Sequence, residues 1–275
     1  MKKIKREYFI LSNKKCSKAS PYLLLLLSLA INIAIVKGVN ATPSTTFWAP
    51  STPYLQPYGV LHITYDSYFT ISNMLPMYIG LTSGILPTKE INLEVGFDFL
   101  IPQKDLLSSL ILNTKIGTPE DILFKGQPGW SFGIFNLGFK KGVNDYNILY
   151  FMLGKTMLED WGAIKYLGTV QLGAYYGLNK TLLNNEQFGI MAGWFSYPID
   201  IPIIDKIVLA WDIMTGKNHV FGATGGGIYF FISPSVDLLT GPVYFLSKKS
   251  AESAGAMSQL IWTLQLDIDI DLKKK

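Results

Sequence analysis

Residues 260–272 carry the sharpest pattern in the chain. They read Leu260-Ile261-Trp262-Thr263-Leu264-Gln265-Leu266-Asp267-Ile268-Asp269-Ile270-Asp271-Leu272, followed by a run of lysines. From Trp262 onward every even position is apolar and every odd one is Thr, Gln or Asp. A period of two over that length predicts a strand with one apolar and one polar face. Ordinary strands run to about 5–6 residues. This one has the length of a strand tilted across a bilayer.

Weaker versions of the same alternation recur from Tyr58 onward. Twelve segments read as strands: 58–69, 77–86, 91–99, 109–117, 129–139, 146–156, 165–178, 187–196, 206–214, 219–232, 235–246 and 260–272. The first sets Leu61, Ile63, Tyr65 and Phe69 against His62, Thr64 and Asp66. The third alternates Ile91, Leu93, Val95, Phe97 and Phe99 with Asn92, Glu94, Gly96 and Asp98. The fifth and sixth have mixed faces. The tenth contains Gly222, Gly225, Gly226 and Gly227, which weaken a flat strand and permit the bending that a closed barrel needs. An even number of strands puts both ends on one side of the barrel. None of the links expected on the far side (about 67–76, 101–108, 140–145, 179–186, 215–218 and 247–258) is long enough to suggest a loop folded inward.

The expected fold is therefore all-β: a single antiparallel up-and-down transmembrane β-barrel of about twelve strands over residues 58–275. A soluble β-sandwich also alternates, burying one face. Against it stand the strand lengths of about ten residues. Aromatics also recur near the expected strand ends, at Tyr65, Tyr150, Tyr166, Tyr176, Trp194, Tyr244 and Trp262, as in interfacial girdles.

The N-terminus has a different character. Lys2, Lys3, Lys5, Arg6, Lys14, Lys15 and Lys18 precede an apolar run over 22–36, and Val39 and Ala41 place small residues before a cut after Ala41. That is the layout of a secretory signal peptide over residues 1–41. Cys16 precedes the apolar run, so it does not suit lipid attachment after it. Residues 42–57 form a lead-in broken by Pro43, Pro50, Pro53 and Pro57, which forbids a central strand. Two placements suit it, a periplasmic tail or a segment tucked into the barrel mouth, and the sequence favours the tail slightly.

Removing the leader changes the charge. It holds eight of the 24 Lys and Arg and one of the 20 Asp and Glu, leaving 16 basic and 19 acidic residues, net −3. The sequence pI of 8.9 thus describes the precursor and gives no reason to infer nucleic-acid binding. The remaining chain has no Arg and no Cys, so it has neither a disulfide framework nor a thiolate metal site. Charged residues make up 16%, against about 25% in soluble domains, which suits a barrel facing lipid.

Function would reside on the inward face. The candidates for lining the lumen are His62, Thr64, Asp66, Asn92, Glu94, Asp98, Asn113, Lys115, Gln171, Asp212, Gln265, Asp267, Asp269 and Asp271. Seven are carboxylates and one is lysine. Closure lays the first strand antiparallel to the last and brings the acidic ladder near His62 and Asp66. A water-filled lumen lined this way favours cations. About eight strands are filled by side chains while 16–18 leave a channel; twelve falls between.

His62 and Thr64 share one face, as a histidine and its nucleophile must in an outer-membrane lipid hydrolase. They lie about 7 Å apart at i and i+2, too far for the direct hydrogen bond that such catalysis needs. No enzyme is expected. His62 with the aspartates is a generic metal arrangement, and neither metal nor cofactor is expected. Asp212 to Asn218 lacks the upstream glycine and the Ser/Thr of a phosphate loop and reads as a hairpin tip. Gly225-Gly226-Gly227 is no dinucleotide fingerprint either.

Thr42-Pro43-Ser44-Thr45, Gln56-Pro57, Asp145 to Tyr150 with Gly154-Lys155, and Asp212 to Lys217 followed by Gly222 resemble a group of porin-like outer-membrane β-barrel proteins of Gram-negative bacteria. The resemblance spans most of the chain after the leader. It implies location and fold, since the shared motifs carry no known chemistry. Many outer-membrane proteins end in an aromatic that assists assembly; this chain instead ends in Leu272 and lysines. Pattern and resemblance together lead to an outer-membrane barrel that passes small cationic or neutral hydrophilic solutes. A plugged barrel serving as a scaffold is the alternative. The expected partners are membrane lipid and such solutes, with association of copies left open.

Overall fold

The computed structural model of the protein describes residues 45–49, 54–71, 74–183, 185–216 and 222–273. The expected leader lies outside them, as do Pro43, Pro50, Pro53, Lys217 and His219. The strands are β1 (Val60–Phe69), β2 (Met77–Gly84), β3 (Asn92–Ile101), β4 (Leu110–Thr118), β5 (Gly129–Gly138) and β6 (Ile148–Thr156). They continue with β7 (Thr169–Gly177), β8 (Phe188–Phe195), a short β9 (Ile199–Ile201), β10 (Ile204–Met214), β11 (Ala223–Ser233), β12 (Val236–Phe245) and β13 (Leu260–Asp271).

Strands adjacent in sequence pair antiparallel, except that β8 passes over β9 to pair with β10. β13 returns to β1 in an unbroken register from Val60↔Asp271 to Phe69↔Trp262. Twelve strands thus close a barrel, and β9 lies outside the ring, held to β10 alone. Each expected strand is present within a few residues of its expected bounds. The seventh differs most. Residues Glu159–Leu167 form a 3-10 stretch, and β7 begins only at Thr169. Gly162 and Gly168, with φ of 62° and 68°, take the left-handed conformation that an extended run cannot hold. Two short helices occupy links on the opposite end from the strand termini: α1 (Leu106–Ser109), capped by Asp105, and α2 (Lys248–Ser253), capped by Ser247.

The outward face is apolar. Val95, Phe132, Phe151, Leu153, Val170, Leu172, Phe188, Ile190, Leu209, Trp211 and Trp262 all stand exposed there. The inward face divides in two. Strands β1, β3, β4 and β13 present mostly polar groups, including His62, Glu94, Lys115, Gln265, Asp267 and Asp269, all buried. Strands β5 to β12 present mostly apolar ones: Phe135, Ile148, Met152, Met191, Met214, Leu239, Val243 and Phe245 are all buried.

The apolar half packs against residues 45–49 of the lead-in, so these described residues lie inside the barrel, the second of the two placements above. Phe47 is fully buried against Tyr229, with ring centroids 6.3 Å apart. Trp48 stacks edge-on to Tyr68 and Phe245 at 5.4 and 5.2 Å. Ala49 joins the cluster of Phe135, Tyr150, Tyr175 and Met191. The glycines of β11 and β12 make this packing possible. A Cβ on Gly225 would stand 2.3 Å from Phe47 Cβ, and one on Gly227 or Gly241 would stand 2.9 or 2.7 Å from its ring. The glycine run read from sequence as a bending device thus also clears room for an aromatic ring. Tyr150, expected in an exterior girdle, faces inward for the same reason and is buried.

Candidate functional site in the lumen

The lead-in is held chiefly by one carboxylate. Asp212 Oδ2 accepts hydrogen bonds from the backbone N–H groups of Trp48 and Ala49 at 2.7 and 2.6 Å and from the Thr46 hydroxyl. Its other oxygen accepts from Gly225 N at 3.2 Å. Backbone amides converging on a carboxylate form an anion nest, here with the anion supplied by the wall and the amides by the plug. Further ties run from Tyr229 Oη to Thr45 O (3.0 Å), from Gln265 Nε2 to Phe47 O (3.2 Å) and from Gln56 N to Glu94 Oε2 (2.7 Å). Near the strand termini, Tyr54 Oη donates to Glu120 Oε1 at 2.7 Å.

Two acidic regions remain on the polar half. The first is the β1–β13 seam. His62 Nδ1 lies 2.6 Å from Asp269 Oδ1 and Nε2 lies 3.5 Å from Asp267 Oδ1, so both ring nitrogens face carboxylates. Asp237 on β12 sits directly across from Asp267 and is fully buried. No lysine or histidine stands within ion-pair distance of it among the described residues.

The second region faces a cavity of about 330 Å³ beneath the links that carry α1 and α2. That volume falls at the lower end of ligand pockets, about 300–1,000 Å³. Trp48, Tyr68, Tyr78 and Tyr146 line it, with Asp66 and Asp98 among them. Asn113 Nδ2 donates to Asp98 Oδ2. Gly80 lies between the two acidic strands, and a Cβ there would come within 2.2 Å of Asp98 Oδ1 and 3.3 Å of Thr64 Cγ2. The missing side chain therefore lets the Asp98 carboxylate lean across β2 towards β1. Deeper in the cavity Lys115 and Glu94 form a buried ion pair at 3.4 Å.

The sequence candidates thus separate into four groups. Thr64, Asp66, Glu94, Asp98, Asn113 and Lys115 line the cavity. His62, Gln265, Asp267 and Asp269 are buried along the seam, and Asp271 stands half-buried at the end holding the strand termini. Asp212 faces inward but is spent on the lead-in. Asn92, on β3 opposite Gly117, and the buried Gln171 stand outside the cavity lining. Sequence reasoning missed Asp237, because the adjacent Leu238-Leu239 hides the alternation of β12. It also missed the cavity's aromatic wall: it places Tyr150 in the exterior girdle and gives Trp48, Tyr68, Tyr78 and Tyr146 no role. Among the described residues no three His, Cys, Asp or Glu are arranged to hold a metal ion.

No protein-family model matches the chain, and no curated protein matches it. Solved structures similar to it include the outer membrane phospholipase A of Escherichia coli, 14% identical over 79% of this chain and 95% of that one, with a TM-score of 0.41. An outer membrane channel from Pseudomonas putida F1 is 11% identical over 85% of this chain and all of its own, with a TM-score of 0.42. Salmonella typhi OmpF is 6% identical over 77% and 96%, with a TM-score of 0.36. None of these likenesses assigns a role to the lumen.

Proposed function

We propose that the protein is an outer-membrane β-barrel whose passage for small cationic or neutral hydrophilic solutes is held shut by its own lead-in. The apolar outward face supports residence in lipid, where only a closed barrel satisfies every strand hydrogen bond. The observation that carries the closed state is the capture of Trp48 N and Ala49 N by Asp212, with Phe47 locked among three glycines. The carboxylate excess of the polar half supports a preference for cations once a path opens. The proposal assigns no catalysis: both nitrogens of His62 are engaged by carboxylates in the interior, away from lipid.

Planar-bilayer recordings test it. The chain from residue 42 is expected to be nearly silent, and the chain from residue 57 to form cation-selective channels. In that shorter chain, Asp267→Asn with Asp269→Asn is expected to lower the cation preference. Silence of both chains would favour the scaffold reading. Phospholipid cleavage lost on His62→Ala would overturn the assignment of no catalysis.

A further inference from the structure

We propose that the cavity beneath α1 and α2 is a binding site for a small methylated ammonium compound. Asp66 and Asp98 supply the charge. Neither lies within ion-pair distance of a lysine or histidine among the described residues, and the cavity's one lysine, Lys115, is taken by Glu94. The cavity therefore holds more carboxylates than lysines, and none of the described lysines or histidines is ion-paired with Asp66 or Asp98.

Trp48, Tyr68, Tyr78 and Tyr146 supply the walls. A quaternary ammonium group has no hydrogen to donate and a greasy surface. It is recognised by aromatic rings together with a nearby anion, and the lining supplies both. The size agrees, since 330 Å³ takes a choline-sized molecule and its first waters. Gly80 is the positioning element: with any side chain there, Asp98 could not reach across β2. The lead-in contributes Trp48 as one wall, so the site exists only while the plug is seated. The inference therefore rests on the closed state proposed above and does not depend on its opening.

Isothermal titration of the chain from residue 42 in detergent micelles, with choline as the probe, tests the proposal. 3,3-Dimethylbutan-1-ol, the uncharged isostere, serves as control. Choline is expected to bind at least tenfold more tightly than the isostere and to alter tryptophan fluorescence. Asp66→Asn with Asp98→Asn should weaken choline at least tenfold while leaving the folded-barrel mobility on unheated gels unchanged. Should the double variant fail to fold, Asp66→Asn and Tyr78→Leu separately are each expected to weaken choline several-fold. Equal binding of choline and isostere, or full choline affinity in folded carboxamide variants, would overturn the site. Choline binding to a chain that stays silent on truncation would sink only the passage reading, whereas conductance on truncation without choline binding would sink only the site.

Discussion

Gly225 shows how much of this molecule hangs on single positions. Its backbone amide donates to Asp212, and its missing side chain admits Phe47. Gly225→Val should therefore expel the lead-in without breaking the barrel, reproducing the conductance of the truncated chain. Phe47→Ala acts on the same contact more gently. Deleting a buried phenyl ring costs about 3–5 kcal/mol, and the loss should appear as faster proteolysis within 42–57 while the strands stay protected. Asp237 offers a prediction of opposite sign. It is buried opposite Asp267 with no cation beside it, so Asp237→Asn removes like-charge crowding at little steric cost. We expect it to stabilise the barrel by about 1–3 kcal/mol, read as a higher heat-modification temperature on gels. Asp267→Asn should gain less, because Asp267 also faces His62.

Among the strands, legibility followed what each inner face touches. Strands β1, β3 and β13 alternate cleanly because an apolar outer face backs onto a polar interior. Strands β5 and β6 read as mixed because Phe135, Ile148, Tyr150 and Met152 on their inner faces meet Trp48 and Ala49, so both sides are apolar. The missing alternation was itself a trace of the lead-in, but one chain gives no way to tell an apolar plug from a poor strand. Asp237 is hidden in the same way, beside Leu238 and Leu239. Two links show the same balance. α1 is tied down by Asp105, whose carboxyl is held below its usual range first by the Lys140 ammonium and then by Ser108 N. A lowered carboxyl stabilises at any pH above its ordinary value and loses hold only as pH falls through the depressed one. Protection of the 105–109 amides from exchange should thus persist through the usual carboxylate range and fade below it. On the opposite end, the 121–126 turn and the 159–167 stretch are joined by the Lys125–Asp160 pair and expose Leu123, Phe124, Trp161 and Ile164. That apolar shoulder continues the outer face. Trp161→Phe should remove a large share of the tryptophan quenching produced by lipids brominated near the headgroups.

At the scale of the whole molecule, the barrel encloses two unlike regions, one packed with apolar side chains and one holding the polar-lined cavity. Taking away the lead-in should leave the strand ladder intact but bare the inner surface of Ile148, Met152, Val243 and Phe245 to water. The truncated barrel is expected to bind a hydrophobic dye and to lose heat resistance while keeping its β-sheet circular dichroism. The seam adds a constraint of timing. His62 and the carboxylates it faces come from the first and last strands, so their cluster cannot exist until the final strand has docked. Contacts between such distant parts of a chain form late and slowly. Folding then has a built-in order, in which the middle strands pair first and the seam locks last, and a chain whose final strand is withheld would stall as an open sheet with two unpaired edges.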